Sequence, residues 1–323
     1  MYSRPVVSLA SRRPDFGRGI SVIDELEPEV PAGADELLRL ARGGTAELPI
    51  SATVAADVMR LCQVAELPFD RMAESITRDP TLAARVLQLA NSAALGSARP
   101  AANLGHALMR VGERGLRSVL LSAAGGRILF VRGHPDLSRR LQVRSFAVAV
   151  GTAGILRRTG SDRDDGFAAG LLHDIGWPTG IGLAARHRAK LPSTWTDQPD
   201  AALAAVDHVH ADLGALIAEQ WHFPESISRA IRDHHHPEAS LGGPLPWAVF
   251  AANQLVDRLG VAPEASPTPE SHEAFVRLRL SGEMQMDTRR EMWTELLRLG
   301  LVQDRRRRTT AMAFERRGQK EPS

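Results

Sequence analysis

Residues Phe167–Pro178 read FAAGLLHDIGWP, and this stretch decides how the rest of the chain is read. An apolar run from Phe167 to Leu172 ends on adjacent His173 and Asp174, and Pro178 supplies a ring that stops the helix. An imidazole and a carboxylate side by side at the end of a buried helix offer the nitrogen and oxygen donors that suit Zn, Fe or Mn. The same dipeptide also serves as a hydrogen-bonded structural pair, so it needs company to mean more.

The company comes from the C-terminal side. Pro199 opens a helix running to Trp221, and His210 lies in register with Leu213, Gly214 and Ile217 on its buried stripe. Pro224 opens another helix that ends at His234, His235 and His236. His234 shares a face with Ile227, Ala230 and Ile231, while His235 sits about 100° around the same helix. Several imidazoles can thus converge on one interior point, the alternative being histidines satisfied within a core; His236 faces solvent. Pro244 and Pro246 precede an apolar helix, Trp247 to Leu259, whose Asp257 either adds a carboxylate or faces water.

Toward the N-terminus the signals are again helical. A long helix is expected from Asp136 to Arg158 after Pro135, followed by a polar loop to Asp165. Before it, Ser51 caps a helix with Val54, Val58 and Leu61, and a second helix runs from Pro68 to Arg78. Asp79-Pro80 opens a third, with Leu82, Val86 and Leu89 on one face, stopped at Asn91-Ser92. Asn103 caps a fourth carrying Leu104, Ala107, Leu108 and Val111; Gly112 breaks it, and Leu116 to Leu129 resumes. Residues 1–45 are expected to form a flexible extension with one short helix candidate, Ala34 to Ala41. Residues 261–271 read as a Pro-rich linker before a helical C-terminal appendage, about Glu270 to Leu280 and Asp287 to Leu299, and a basic tail through Arg305, Arg306, Arg307 and Arg308.

Composition agrees. With 43% hydrophobic but only 5% aromatic residues in 323, the chain suits an all-α fold better than a sheet. A net charge of +2 falls short of the footprint of a dedicated nucleic-acid binder. The single cysteine, Cys62, rules out an intramolecular disulfide and fits a reducing, cytoplasmic setting. No run of about 18 apolar residues is evident, and the charged N-terminus lacks the apolar core of a signal peptide, so no membrane insertion is expected.

The ordered motifs resemble the HDOD domain family, non-catalytic relatives of the HD phosphohydrolases. The resemblance is carried by ITRDPTLAARVLQLANSAALG (Ile76–Gly96), LGHALMRVGERGLRSVLL (Leu104–Leu121), FAAGLLHDIGWP, and HADLGALIAEQWHFPESISRAIRDHH (His210–His235). It implies an all-α, multi-helix domain over 46–260, made of two packed lobes at 46–132 and 133–260 and used by bacteria as a signalling output module. Active HD hydrolases hold one or two metals with an early His, the His-Asp pair and later His or Asp ligands. By that resemblance the vestigial or candidate metal site is His173, Asp174, His210, His234, His235 and Asp257.

Two departures bear on activity. The early ligand position, at the start of RSFAVAVGTAGIL, is Arg144, and a guanidinium has no lone pair to donate. Arg144 is in register with Ala147, Val148, Gly151 and Ile155, so it is expected to face inward and to pair with Asp174 in place of a metal. Cyclic-dinucleotide hydrolases of this type carry a lysine where Trp177 stands and a Gly-Tyr-Pro signature after the double histidine; the only tyrosine here is Tyr2. The expectation is therefore a regulatory protein acting through contacts with signalling proteins, with no cofactor. The alternatives are a metal-dependent phosphohydrolase holding Zn, Fe or Mn, and a nucleotide or nucleic-acid binding regulator using Arg144 or Arg305 to Arg308 as phosphate contacts.

Overall fold

The computed structural model describes residues 30–43, 69–78, 80–91, 101, 103–131, 133–161, 165–240, 243–257, 259 and 269–302. The helix expected from Ser51, Ser92, most of the 261–271 linker and the Arg305–Arg308 tail lie outside the described residues. Among the described residues every regular element is helical.

The first lobe holds α2 (Phe69–Arg78), α3 (Pro80–Ala90) and α4 (Leu104–Ile128). Its core is Met72 and Ile76 from α2, Val86, Leu89 and Ala90 from α3, and Ala107, Leu108, Val111, Leu116, Val119 and Leu120 from α4. Asn103 caps α4 by accepting from the backbone N–H of His106 at 2.9 Å. Gly112 kinks α4 at φ 68°, ψ 174°, a left-handed conformation that only glycine adopts without strain. Asn91 closes the turn after α3, its Oδ1 accepting from Ala101 N at 2.6 Å.

The second lobe is built around α5 (Pro135–Arg158), whose stretch from Ser145 to Thr152 is buried on every side. A helix buried all round must be central. It packs against α6 (Gly166–Leu172), α10 (Pro244–Asp257) and α12 (Gly282–Arg298). On the other side of the site, α7 (Gly176–Arg186) packs against α8 (Pro199–Gln220), and α8 against α9 (Glu225–Arg232). The prolines at Pro135, Pro199 and Pro244 each open a helix, where the missing N–H is not needed.

Several sequence-based expectations are refined or corrected by the packing. The short helix expected at Ala34 to Ala41 is α1 (Ala34–Arg42), and it buries Ala34, Leu37, Leu40 and Ala41 against Leu183, Ala205, Val206, Val209 and Leu213, a packing the sequence reading did not anticipate. Pro178 stops nothing; it is the third residue of α7, in a first turn whose N–H groups have no partner in the helix. The C-terminal appendage is part of the lobe, because α11 (Pro269–Arg277) and α12 give Ala274, Phe275, Leu278, Met292 and Leu296 to the α5 core. The helix α12 also starts earlier than expected, at a Ser281 cap whose hydroxyl accepts from Met284 N. Finally, α8 is long and apolar enough to match a membrane span by length and composition. Its apolar residues are instead committed to α1, α7 and α9.

Candidate metal centre

His173, Asp174 and Ile175 form the three-residue corner between α6 and α7, closed by Ile175 N to Leu172 O and Trp177 N to Asp174 O. The corner is pressed onto α8: a Cβ on Gly176 would lie 1.8 Å from the carbonyl oxygen of His210 and 2.9 Å from Gly214 N. On the other side, a Cβ on Gly170 would meet the backbone of Ala149 in α5 at 2.7 Å. Glycine at these positions lets α6 approach α5, and α7 approach α8, backbone to backbone, which brings His173 and Asp174 beside His210.

Three imidazoles are oriented in the same way. Nδ1 of His173 lies 2.8 Å from Gly170 O, Nδ1 of His210 2.5 Å from Asp207 O, and Nδ1 of His234 2.6 Å from Ile231 O. A carbonyl only accepts, so each Nδ1 donates to it and each Nε2 is the ring nitrogen left to face the interior of the cluster. Those Nε2 atoms surround Asp174: His173 at 3.2 Å from Oδ2, His210 at 3.5 Å and His234 at 3.7 Å from Oδ1. His210 Nε2 also lies 3.3 Å from His234 Nε2 and 3.0 Å from His235 Nε2. The three inward ring nitrogens of His210, His234 and His235 thus crowd one another beside the Asp174 carboxylate, and His173 Nε2 is buried against that carboxylate alone.

The surroundings set the charge of the cluster. Burial works to raise the Asp174 carboxyl, but the charge and hydrogen bond of His173, and then the charges of His210 and His234, outweigh it and hold the group well below its ordinary value. Burial pushes His234 well below the ordinary imidazole range, with crowding by His235 and His173 in the same direction. His235 is open to solvent on one edge; desolvation of the rest of its ring, then His210, push it down to about 4. An ionised carboxylate ringed by imidazoles whose Nε2 atoms face inward, with His234 and His235 held below the ordinary imidazole range, offers the donor set of a divalent ion such as Zn, Fe or Mn. Within this cluster His210, His234 and His235 form one ligand group and His173, Asp174 and His234 another. Trp177 lies over His210, ring centroids 5.6 Å apart, and is half-buried.

Two candidates stand apart. Asp257 is buried at the end of α10, and Arg144 Nη1 donates to its Oδ1 at 2.6 Å. The expected Arg144 to Asp174 pair is thus corrected: the guanidinium is satisfied from α10, and the charges acting on Asp174 are those of the histidines. The register reading placed Arg144 on the inward face but could not choose between two buried carboxylates from different helices. The carbonyls of Gly170, Asp207 and Ile231 were missed. The signal was available for His173 and His234, which fall at helix C-termini, where unpaired carbonyls are expected.

A profile of the HDOD domain family matches residues 48–237, and the chain belongs to that family. The chain is 26% identical over 252 residues to an uncharacterised protein of Treponema pallidum, covering 75% of this chain and 48% of the relative, so it spans about half that protein's length. Solved structures share the fold. An HDOD domain protein of unknown function from Geobacter sulfurreducens matches at TM-score 0.53 and 22% identity over 82% of this chain and 93% of its own. A candidate metal-dependent phosphohydrolase from Shewanella amazonensis matches at 0.56 and 18%, over 81% and 97%. A candidate signal transduction protein from Marinobacter aquaeolei matches at 0.56 and 20%, over 83% and 65%.

Proposed function

We propose that this chain is a bacterial, cytoplasmic regulatory protein that transmits a signal through protein contacts, with an HD-type site reduced to a single-ion centre that does not turn over phosphate esters. The observation that carries the reading is the Arg144–Asp257 ion pair at 2.6 Å. By resemblance, Arg144 stands where an active HD enzyme places its early metal-binding histidine. A guanidinium there offers no lone pair and repels a dication, and it also engages a carboxylate that a metal could have used.

What remains fits one ion. Two overlapping triads that share His234 could hold it, His173 with Asp174 on the buried side or His210 with His235 on the open side. When bound, a divalent ion supplies Lewis acidity and lowers the pKa of a coordinated water. The residues of this chain orient the donors through their backbone carbonyls, and Trp177 narrows the approach beside His210. No described carboxylate other than Asp174 lies within the donor cluster to act as a base. A role in protein contacts also draws on the family's use as an output module and on the signal-transduction description of the Marinobacter neighbour.

The test is a panel of phosphate monoesters, diesters and nucleotides offered to protein loaded in turn with Mn, Fe or Zn. No turnover above the Asp174→Ala background is expected. Turnover that disappears in Asp174→Ala would replace this reading with a metal-dependent phosphohydrolase, which the converging Nε2 atoms otherwise favour.

A further inference from the structure

Apart from the His–Asp cluster, a cavity of about 220 Å³ opens between α7, α8 and the 3-10 turns Arg188–Lys190 and Ser193–Thr196 that connect them. Its walls are apolar, with Ile181, Leu191, Trp195, Leu203 and Val206 prominent. The volume corresponds to about seven waters at roughly 30 Å³ each, or a ligand of roughly ten heavy atoms.

The polar features of this cavity include hydrogen-bond donors and one fixed cation, and no fixed anion. Arg188 and His134 line it, and neither side chain makes a hydrogen bond or ion pair among the described residues. Pro199, the first residue of α8, and His134, the residue before α5, bring two helix N-termini to the rim. Neither helix has a side-chain cap at that end, so the positive ends of both helix dipoles face the rim without a side-chain acceptor. Asp136 and Asp200 lie in those first turns, but no acidic residue lines the cavity. An apolar chamber with a guanidinium, an imidazole and two uncapped helix ends at its mouth matches an anion with an apolar body.

We propose that this cavity is a binding site for a small soluble monocarboxylate with an aliphatic or aromatic body of about ten heavy atoms, its carboxylate held by Arg188 at the mouth. The site is joined to two other parts of the fold. Trp195 packs against Gly33 at the start of α1, where an added Cβ would lie 2.5 Å from its ring. Ile181 and Val206 lie four residues, about one helical turn, from Trp177 and His210 on the same two helices. A ligand here therefore touches the walls that also position the His–Asp centre, although its binding does not depend on metal or turnover.

Octanoate is the probe, with octanol as its uncharged match, titrated into the full chain by calorimetry and by tryptophan emission. One saturable octanoate site is expected, bound at least about tenfold more tightly than octanol. Arg188→Gln should weaken octanoate about five- to tenfold and leave octanol unchanged, as the loss of an ionic hydrogen bond at a partly open rim predicts. Leu203→Trp should fill the cavity and abolish binding with the helical circular dichroism intact. Trp195→Phe should remove the emission change but keep the heat. Absence of binding to the wild-type protein at millimolar octanoate overturns the proposal. So does equal affinity for octanol, full binding in Leu203→Trp, or octanoate release by neutral phosphatidylcholine vesicles that take up the protein, which would assign the cavity to a lipid chain.

Discussion

The Arg144–Asp257 pair makes a quantitative prediction about which carboxylate the guanidinium serves. At 2.6 Å the Coulomb attraction in an effective dielectric of 20 is about 6 kcal/mol before desolvation is charged against it. Desolvation cancels most of this, and the Arg144 side chain keeps 28% of its surface in water against 11% for Asp257, so the net coupling falls to about 1–2 kcal/mol. Removing one partner is worse than removing both. Asp257→Ala leaves a half-buried cation unpaired, at about 2 kcal/mol, and Arg144→Met leaves a better-buried carboxylate, at about 2–3 kcal/mol. The double variant should lose about 3 kcal/mol rather than the sum. Urea unfolding followed by circular dichroism at pH 7 measures all four corners, and an unchanged m-value shows that the states compared are the same. A parallel cycle between Arg144 and Asp174 should give coupling below about 0.5 kcal/mol. The assignment fails if the Asp174 cycle couples by more than 1 kcal/mol while the Asp257 cycle is additive.

Other consequences are as direct. Gly176→Ala places a methyl 1.8 Å from a main-chain oxygen that cannot move without shifting α8, so a loss of at least about 3 kcal/mol or of soluble protein is expected; a variant with wild-type unfolding midpoint would show that the α7–α8 contact is looser than described. In chelator-stripped protein, Zn or Mn at about 100 times its Kd should raise stability by about 2.7 kcal/mol at one equivalent per chain, and His173→Ala or Asp174→Ala should lose most of that; a shift unchanged in both variants places the ion elsewhere. For the metal-free protein, His234 and His235 titrate below the ordinary 6.5 when folded, so the unfolded chain binds more protons in that window. Stability should therefore fall as pH drops from about 6.5 toward 4, whereas Asp174, also lowered, withdraws its contribution only at still lower pH. Equal urea midpoints at pH 7.5 and 5 would contradict the neutral-imidazole description.

Much of the fold was legible because its punctuation is local. Pro135, Pro199 and Pro244 open helices, Asn103 caps one and Gly112 breaks one, each through a backbone constraint that acts within a few residues. Pro178 shows the limit of that reading. A proline three residues into a helix and a proline that ends one look alike in sequence, and only the glycine contact of Gly176 with α8 tells which side of it the corner lies on. The packing of α1 was equally hidden, since its four buried positions make a stripe too short to separate from a helix in solvent. At the site, helical register brought out His210 and His234 correctly as inward groups. It could not foresee that Asp257 rather than Asp174 would meet Arg144, because that depends on how α5 and α10 cross.

The decisive quantity at the site is the number of free carboxylates rather than the number of histidines. Imidazoles that ligate a metal are neutral and add donors without adding charge, so the cluster around Asp174 would bring one negative charge to an ion, and one divalent ion would already leave it positive by one. A second ion would raise that to three in a largely buried space, unless Asp257 turned toward it. Turning Asp257 would strand the Arg144 guanidinium beside the incoming cation, adding repulsion to the loss of a 2.6 Å ion pair. Serving the guanidinium and serving a second metal are therefore exclusive roles for one carboxylate. Under the proposed reading, a cation at Arg144 where active relatives carry a ligand would limit the metal capacity of the site twice, by removing a donor and by engaging another.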